Sequence, residues 1–240
     1  MGEVLGVGIT HFPPLLGQPS NYSRPLRMAL NSPVVPELMK DPNSWPSGMQ
    51  DEWANETERA TEHQAQMIDA MRKVRKAIDE FNPDAVIVWG DDQYEDFKED
   101  LIPPFNIYCM DEFFTVPFRR NPDNHWAHPT DKRFDYKGAG QLAKHIAPEL
   151  IDRDFPVPYS YKPLHYEHGL AHAFANTFVY LDWDEQGWPY PIIPIMVNCI
   201  GRDVVSSRGA MGHFKPPDEE ARHPFMDYQG PSGPSPRSLF

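Results

Sequence analysis

Residues 85–89 of this 240-residue chain, Ala-Val-Ile-Val-Trp, form an apolar run that stops at Gly90 and is followed by Asp91, Asp92 and Gln93. A short apolar run bounded by turn residues reads as a buried strand, here one whose end opens into a polar site. The clearest helix of the chain precedes it. Within residues 52–81, Met67, Met71, Val74, Ile78 and Phe81 recur at spacings of four, three, four and three, which makes one helical stripe, and Asn82-Pro83 ends it. Helix, short loop and buried strand in that order predict an α/β fold with a mainly parallel central sheet flanked by helices.

The rest of the chain fits a single domain over residues 1–240. Residues 3–10 read as a short buried strand ending at His11, and Pro13-Pro14 disfavour a regular helix after it. Residues 15–51 are a long Pro-, Asn- and Ser-rich lid region, with short helices at 26–30 and 35–39. Further strands are expected at 102–108, 157–161 and, as a central strand, 191–197; helices are expected at 138–150 and 170–181. Residues 121–131 form a polar loop holding His125 and His128. Periodicity is lost after Asn198, and residues 201–240 read as an irregular tail. The chain stops at Pro236-Arg-Ser-Leu-Phe240 with no closing element, the pattern of an interrupted chain or of one that needs a partner.

Charge narrows the function classes. With 22 basic and 35 acidic residues the formal net charge is −13, and no basic block offsets it, which argues against nucleic acid as a partner. No apolar run approaches the roughly 20 residues that cross a bilayer, and the N-terminus has no signal-peptide pattern. Two cysteines, Cys109 and Cys199, make no disulfide framework. These features read as a cytoplasmic protein of a reducing compartment.

Three element ends carry candidate chemistry. His11 follows the first strand, and a neutral imidazole there suits Fe(II), Zn(II) or Mn(II) as well as a simple loop hydrogen bond. Asp91, Asp92 and Gln93 follow the strand at 85–89, and in open α/β sheets ligands bind beyond the carboxyl ends of strands. Adjacent residues in extended chain point opposite ways, so only one or two of the three face a common site. His165, His168 and His172 lie within eight residues. A helix starting near Gly169 puts His168 and His172 on one face, where they serve as metal ligands, as a general base with a hydrogen-bond donor, or as capping residues. No GxSxG, P-loop or GxGxxG is present.

Five segments, in order, resemble a known family: Gly8-Ile-Thr-His-Phe-Pro13, Val86-Ile-Val-Trp-Gly-Asp-Asp-Gln-Tyr-Glu-Asp-Phe97, Asp135-Tyr-Lys-Gly-Ala-Gly-Gln-Leu-Ala-Lys-His-Ile146, Glu167-His-Gly169 and Pro194-Ile-Met-Val-Asn198. Together they are similar to the catalytic subunit of class III extradiol ring-cleavage dioxygenases, the LigB-like enzymes that include protocatechuate 4,5-dioxygenase and gallate dioxygenase. The resemblance implies one non-haem Fe(II) held by two histidines and a glutamate, a catecholic substrate, O2, and a histidine outside the metal shell as base and acid. His11 then matches the first ligand. His168 matches the histidine of the Asp/Glu-His-Gly motif, with His165 and His172 as further catalytic candidates.

The chain departs from that pattern. The family's Asp-His is Asp92-Gln93 here, so Asp92 and Gln93 are the remaining metal candidates. A histidine that often follows the helix-opening glycine is Ala139. The Ser-His motif and the glutamate ligand fall beyond the end of this chain. The expectation is therefore weak iron binding and little turnover. An acidic protein also needs a local positive group for an anionic substrate, and Arg24 and Arg27 are the candidates for it. Two rival readings remain: a Zn(II) hydrolase on the same fold, with His11, Asp92 and one of the three later histidines, and a non-catalytic assembly subunit. A homo-oligomer or a partner subunit is expected.

Overall fold

The computed structural model describes residues 2–33, 35–98 and 100–198. The expected tail at 201–240 and Cys199 therefore lie outside the described residues. The fold is α/β. A four-stranded sheet runs in the order β1 (Val86–Asp92), β6 (Ile192–Asn198), β2 (Phe105–Tyr108) and β5 (Tyr159–Ser160). β1 is parallel to β6 and β5 is parallel to β2, while β2 and β6 are antiparallel. β3 (Glu112–Thr115) and β4 (Phe134–Lys137) form a separate antiparallel pair. The helices are α1 (Arg24–Leu30), α2 (Glu37–Lys40), α3 (Ser47–Ala54), α4 (Glu56–Phe81), α5 (Gly140–Asp152) and α6 (His172–Leu181).

Alternation along the strands divides the core. On β6, Ile192 and Met196 join Val88, Tyr108 and Phe174 on one face, and Ile193 and Ile195 join Ile107, Ala143 and Ala147 on the other. The first face packs α6 and the β3–β4 pair, and the second packs α5. The stripe on α4 buries Met71 and Ile78 against Val179, Leu181 and Tyr190. Asn82 ends α4 in the left-handed conformation (φ 48°), donating its N–H to the Ile78 carbonyl at 2.9 Å. α6 is apolar nearly all round and buried accordingly. No described helix is long and apolar enough to cross a membrane.

Two expectations are corrected. Residues 3–10 form no strand: Gly6 and Gly8 weaken strand formation, no ladder pairs the segment, and Val4 is 93% exposed. The strand at 85–89 is not fully buried: β6 and β2 are the inner strands, β1 has a neighbour on one side only among the described residues, and its Trp89 is 64% exposed. The lid region is better ordered than a loop, with α1, α2, most of α3, two short 3-10 turns and the end of a third.

Two glycines set the approach of the site elements. A Cβ on Gly90 of β1 would stand 2.8 Å from the Phe174 ring of α6. Gly169 is left-handed (φ 75°), and a Cβ there would stand 2.0 Å from the Phe114 carbonyl oxygen, which already accepts the Leu170 N–H at 2.9 Å. Gly169→Ala should therefore lower the urea-unfolding free energy by more than about 2 kcal/mol, through both the backbone strain and the clash. A loss below about 0.5 kcal/mol would contradict this packing.

Candidate metal centre

Three side chains on one ridge of α6, spaced i, i+4, i+8, build the site. Asn176 donates its amide N–H to the His11 carbonyl at 2.9 Å, and the Tyr180 hydroxyl donates to the Phe12 carbonyl at 2.7 Å. Both donors are buried. They seat the N-terminal segment so that the His11 ring meets His172, the first residue of the ridge, edge-on at 5.2 Å between centroids. The end of β1 brings in Asp91, whose Oδ1 lies 3.5 Å from His11 Nε2. One donor atom each from His11, Asp91 and His172 lies within 4.8 Å of the others.

Asp91 Oδ1 is buried and accepts no hydrogen bond. Its partner oxygen Oδ2 accepts the Gln93 side-chain amide at 3.1 Å. A buried, unsatisfied carboxylate oxygen is costly unless a cation completes it. Donor atoms on one ion at roughly 2.1 Å stand about 3–4 Å apart, so this cluster needs only small side-chain adjustment to close on a metal. Two imidazoles and a carboxylate are the donor set of mononuclear non-haem Fe(II) and also suit Zn(II). The residues present fit such an ion.

Glu95 orients the second imidazole. Its Oε2 accepts both the backbone N–H of His172 at 3.2 Å and the ring Nδ1–H at 2.7 Å. Burial works against the Glu95 charge, but the hydrogen bond and charge of His172 outweigh it and hold the carboxyl below its usual range. Burial likewise opposes a charged His172, and the Glu95 contact more than reverses this, raising the imidazole. With Nδ1–H given to Glu95, the neutral ring presents Nε2 as its lone-pair nitrogen.

A cavity of about 730 Å³ opens beside these groups, lined by Glu95, His165, His168 and His172. Its apolar walls include Leu16, Val116 and Pro117. His165 Nε2 is tied to Asp100 Oδ1 at 2.8 Å. His168 stands exposed on the wall. Burial, then the nearby Arg119 guanidinium, hold its imidazole below the usual value, so it is neutral near pH 7.

A family model described as the catalytic LigB subunit of aromatic ring-opening dioxygenases matches residues 54–208. The chain belongs to the LigB family. Among curated proteins, this LigB-family chain is 31% identical over 144 residues to the 2,3-dihydroxyphenylpropionate/2,3-dihydroxicinnamic acid 1,2-dioxygenase of Comamonas testosteroni, covering 60% of this chain and 39% of that protein. It is 27% identical over 151 residues to the protein of the same name from Paraburkholderia phymatum, covering 63% and 42%. The corresponding figures for Paraburkholderia xenovorans are 26% over 140 residues, covering 57% and 37%. The chain thus spans about two-fifths of the length of the curated relatives it matches.

The structure sorts the residues singled out in the sequence. His11 and His172 come together, with Asp91 rather than Asp92. Strand alternation turns Asp92 inward on the side of Val88, where Oδ1 accepts the backbone N–H groups of Tyr94 and Glu95 at 3.0 and 3.2 Å, and Oδ2 accepts that of Asp96 at 2.8 Å. Asp92 therefore builds the loop that delivers Glu95. Gln93 is exposed and braces Asp91. His165 and His168 share the cavity, but Arg24 and Arg27 do not line it. Arg24 is exposed on α1, and Arg27 pairs with Glu56 and lies 4.6 Å over the Trp53 ring. Sequence reasoning missed Glu95, Arg119 and Arg120. Glu95 lies two residues after Gln93, inside the quoted Val86–Phe97 segment, and only the loop makes it face α6.

Two outcomes check this division of labour. Asp91→Asn should leave the urea midpoint unchanged or raised, because the charge on a buried oxygen that accepts no hydrogen bond is removed, whereas Asp92→Ala should cost about 2–4 kcal/mol by stranding three backbone donors. Burial pushes the Asp92 carboxyl up to about 6, and burial together with Asp92 pushes Asp96 well up. Both carboxyls bind protons more tightly folded than unfolded. Their contribution to stability is complete below the ordinary carboxylate range and is lost as pH rises through the folded values. Asp96→Asn should flatten the fall in unfolding free energy between about pH 4 and 7 relative to wild type.

Proposed function

We propose that this chain holds the metal of an extradiol ring-cleavage dioxygenase and acts, with O2, on a catecholic aromatic acid. The observation that carries the reading is the buried Asp91 oxygen left without a hydrogen bond between two histidines. Family membership and the substrates in the relatives' names, 2,3-dihydroxyphenylpropionate and 2,3-dihydroxicinnamic acid, support it.

His11, Asp91 and His172 would hold Fe(II). Bound there, the ion would supply Lewis acidity toward the catechol and the redox chemistry that makes O2 reactive. Gln93 keeps Asp91 turned toward the histidines by holding Oδ2, and Glu95 fixes the His172 tautomer. Leu16, Val116 and Pro117 give the aromatic ring an apolar wall. His168, neutral and on the same cavity, takes the proton of a catechol hydroxyl at a ring nitrogen and returns it to the opened product. The sum is one catechol and one O2 to one ring-opened acid, with both oxygen atoms retained. An imidazole from His172 beside His11 offsets the loss implied by Gln93 standing at the family's histidine position.

An anaerobic Fe(II) titration of the chain, with Zn(II) in parallel, tests the reading. One Fe(II) should bind per chain. Asp91→Asn and His172→Gln should abolish binding, and Glu95→Gln should weaken it about 10–100-fold. Wild type that takes no Fe(II), or that binds as well without Asp91, sinks the proposal. Zn(II) binding with no O2 uptake on any catechol would favour a hydrolase instead.

A further inference from the structure

The same cavity is lined, beside its histidines, by two adjacent arginines. In a strand, neighbours point to opposite sides, but Arg119 and Arg120 leave β3 through a turn at residues 117–120 and both line the cavity. The turn is anchored. Phe118 is fully buried, packed against Trp126, His128 and Phe134 at 5.5, 5.5 and 5.9 Å between ring centroids. Its carbonyl accepts the Asn121 N–H at 2.8 Å. The guanidiniums are thus presented by a rigid support.

Neither guanidinium forms an ion pair with a described residue, in a chain of formal net charge −13. Most other arginines of the described segments are paired, among them Arg27, Arg59, Arg72, Arg75, Arg133 and Arg153. The two cations also act on each other: burial, then the Arg120 charge, make Arg119 a weaker base than a free guanidinium. Lys98 adds a third cation to the wall, and the carboxylates lining the cavity are Glu95, engaged by His172, the buried Asp96, which accepts the Tyr108 hydroxyl, and the exposed Glu167. Two unpaired forked donors held together beside an apolar wall are arranged to receive a planar anion.

We propose that Arg119 and Arg120 form a carboxylate-binding subsite that selects aromatic substrates bearing an anionic side chain and aims the ring at His11, Asp91 and His172. The proposal rests on the reading that the cavity receives an aromatic ring, and it gives the role sought for Arg24 and Arg27 in the sequence to a different pair. The distance from the guanidiniums to the metal cluster then sets which side-chain length is accepted.

Calorimetric titration of the full, metal-free chain tests it with probes that cannot chelate. 3-Phenylpropionate should bind, its uncharged analogue 3-phenylpropan-1-ol should bind at least about tenfold more weakly, and affinity for the acid should fall with added salt. The double variant Arg119→Gln/Arg120→Gln should erase the preference for the acid, while Arg119→Lys/Arg120→Lys keeps part of it and the remote Arg153→Gln keeps all of it, each with a wild-type circular dichroism spectrum. Equal binding of acid and alcohol, no binding of the acid at millimolar concentration, or a preference that survives the double Gln variant overturns the proposal. Acetate or inorganic phosphate binding as tightly as phenylpropionate also overturns it, in favour of an unselective anion site. Because no metal is present, retained acid binding alongside a failed Fe(II) titration would sink the metal reading alone, and the reverse pattern would sink the subsite alone.

Discussion

Two hydrogen bonds from α6 to main-chain carbonyls, Asn176 to His11 and Tyr180 to Phe12, are what the candidate centre depends on. Residues 2–10 have no regular structure and no sheet partner among the described residues. Backbone carbonyls are strong acceptors, and buried side-chain donors that have no other outlet hold them firmly. The same ridge of α6 that supplies these donors also supplies His172. Helix periodicity thus converts one surface of one element into both a ligand and the fixture for a second ligand.

Much of the fold was legible in the sequence because it rests on periodicity. The α4 stripe, the apolar β6 and the α6 segment each announce themselves through spacing, and each forms close to where that spacing puts it. The failures share a cause. Residues 3–10 have the composition of a strand, but a strand exists only through its partner, and pairing is not written in a segment's own residues. The choice between Asp91 and Asp92 turns on the phase of β1, which the glycine at 90 blurs. The clustering of His165, His168 and His172 was visible, but which of them meets His11 depended on where α6 starts. Arg119 and Arg120 gave no signal, since adjacent basic residues usually diverge and only a turn makes them converge.

Position 93 shows how a side chain can serve a cluster without being one of its donors. An amide there is a poor substitute for an imidazole, yet it donates to Asp91 and so fixes the carboxylate's orientation. The imidazole enters from a different element, at His172, and Glu95 sets its tautomer.

The close passage of β1 under Phe174 at Gly90 has a further meaning for this arrangement. Asp91 is the next residue on the strand, and His172 is two residues before Phe174 on the helix. The gap between carboxylate and imidazole is thus gauged by a hydrogen atom where other residues carry carbon. Any side chain at position 90 would act as a spacer, spreading strand and helix while every donor stayed chemically intact. The dimension of the centre is in this sense inherited from the packing beneath it, and a residue with no functional group of its own governs whether the groups that have one can meet.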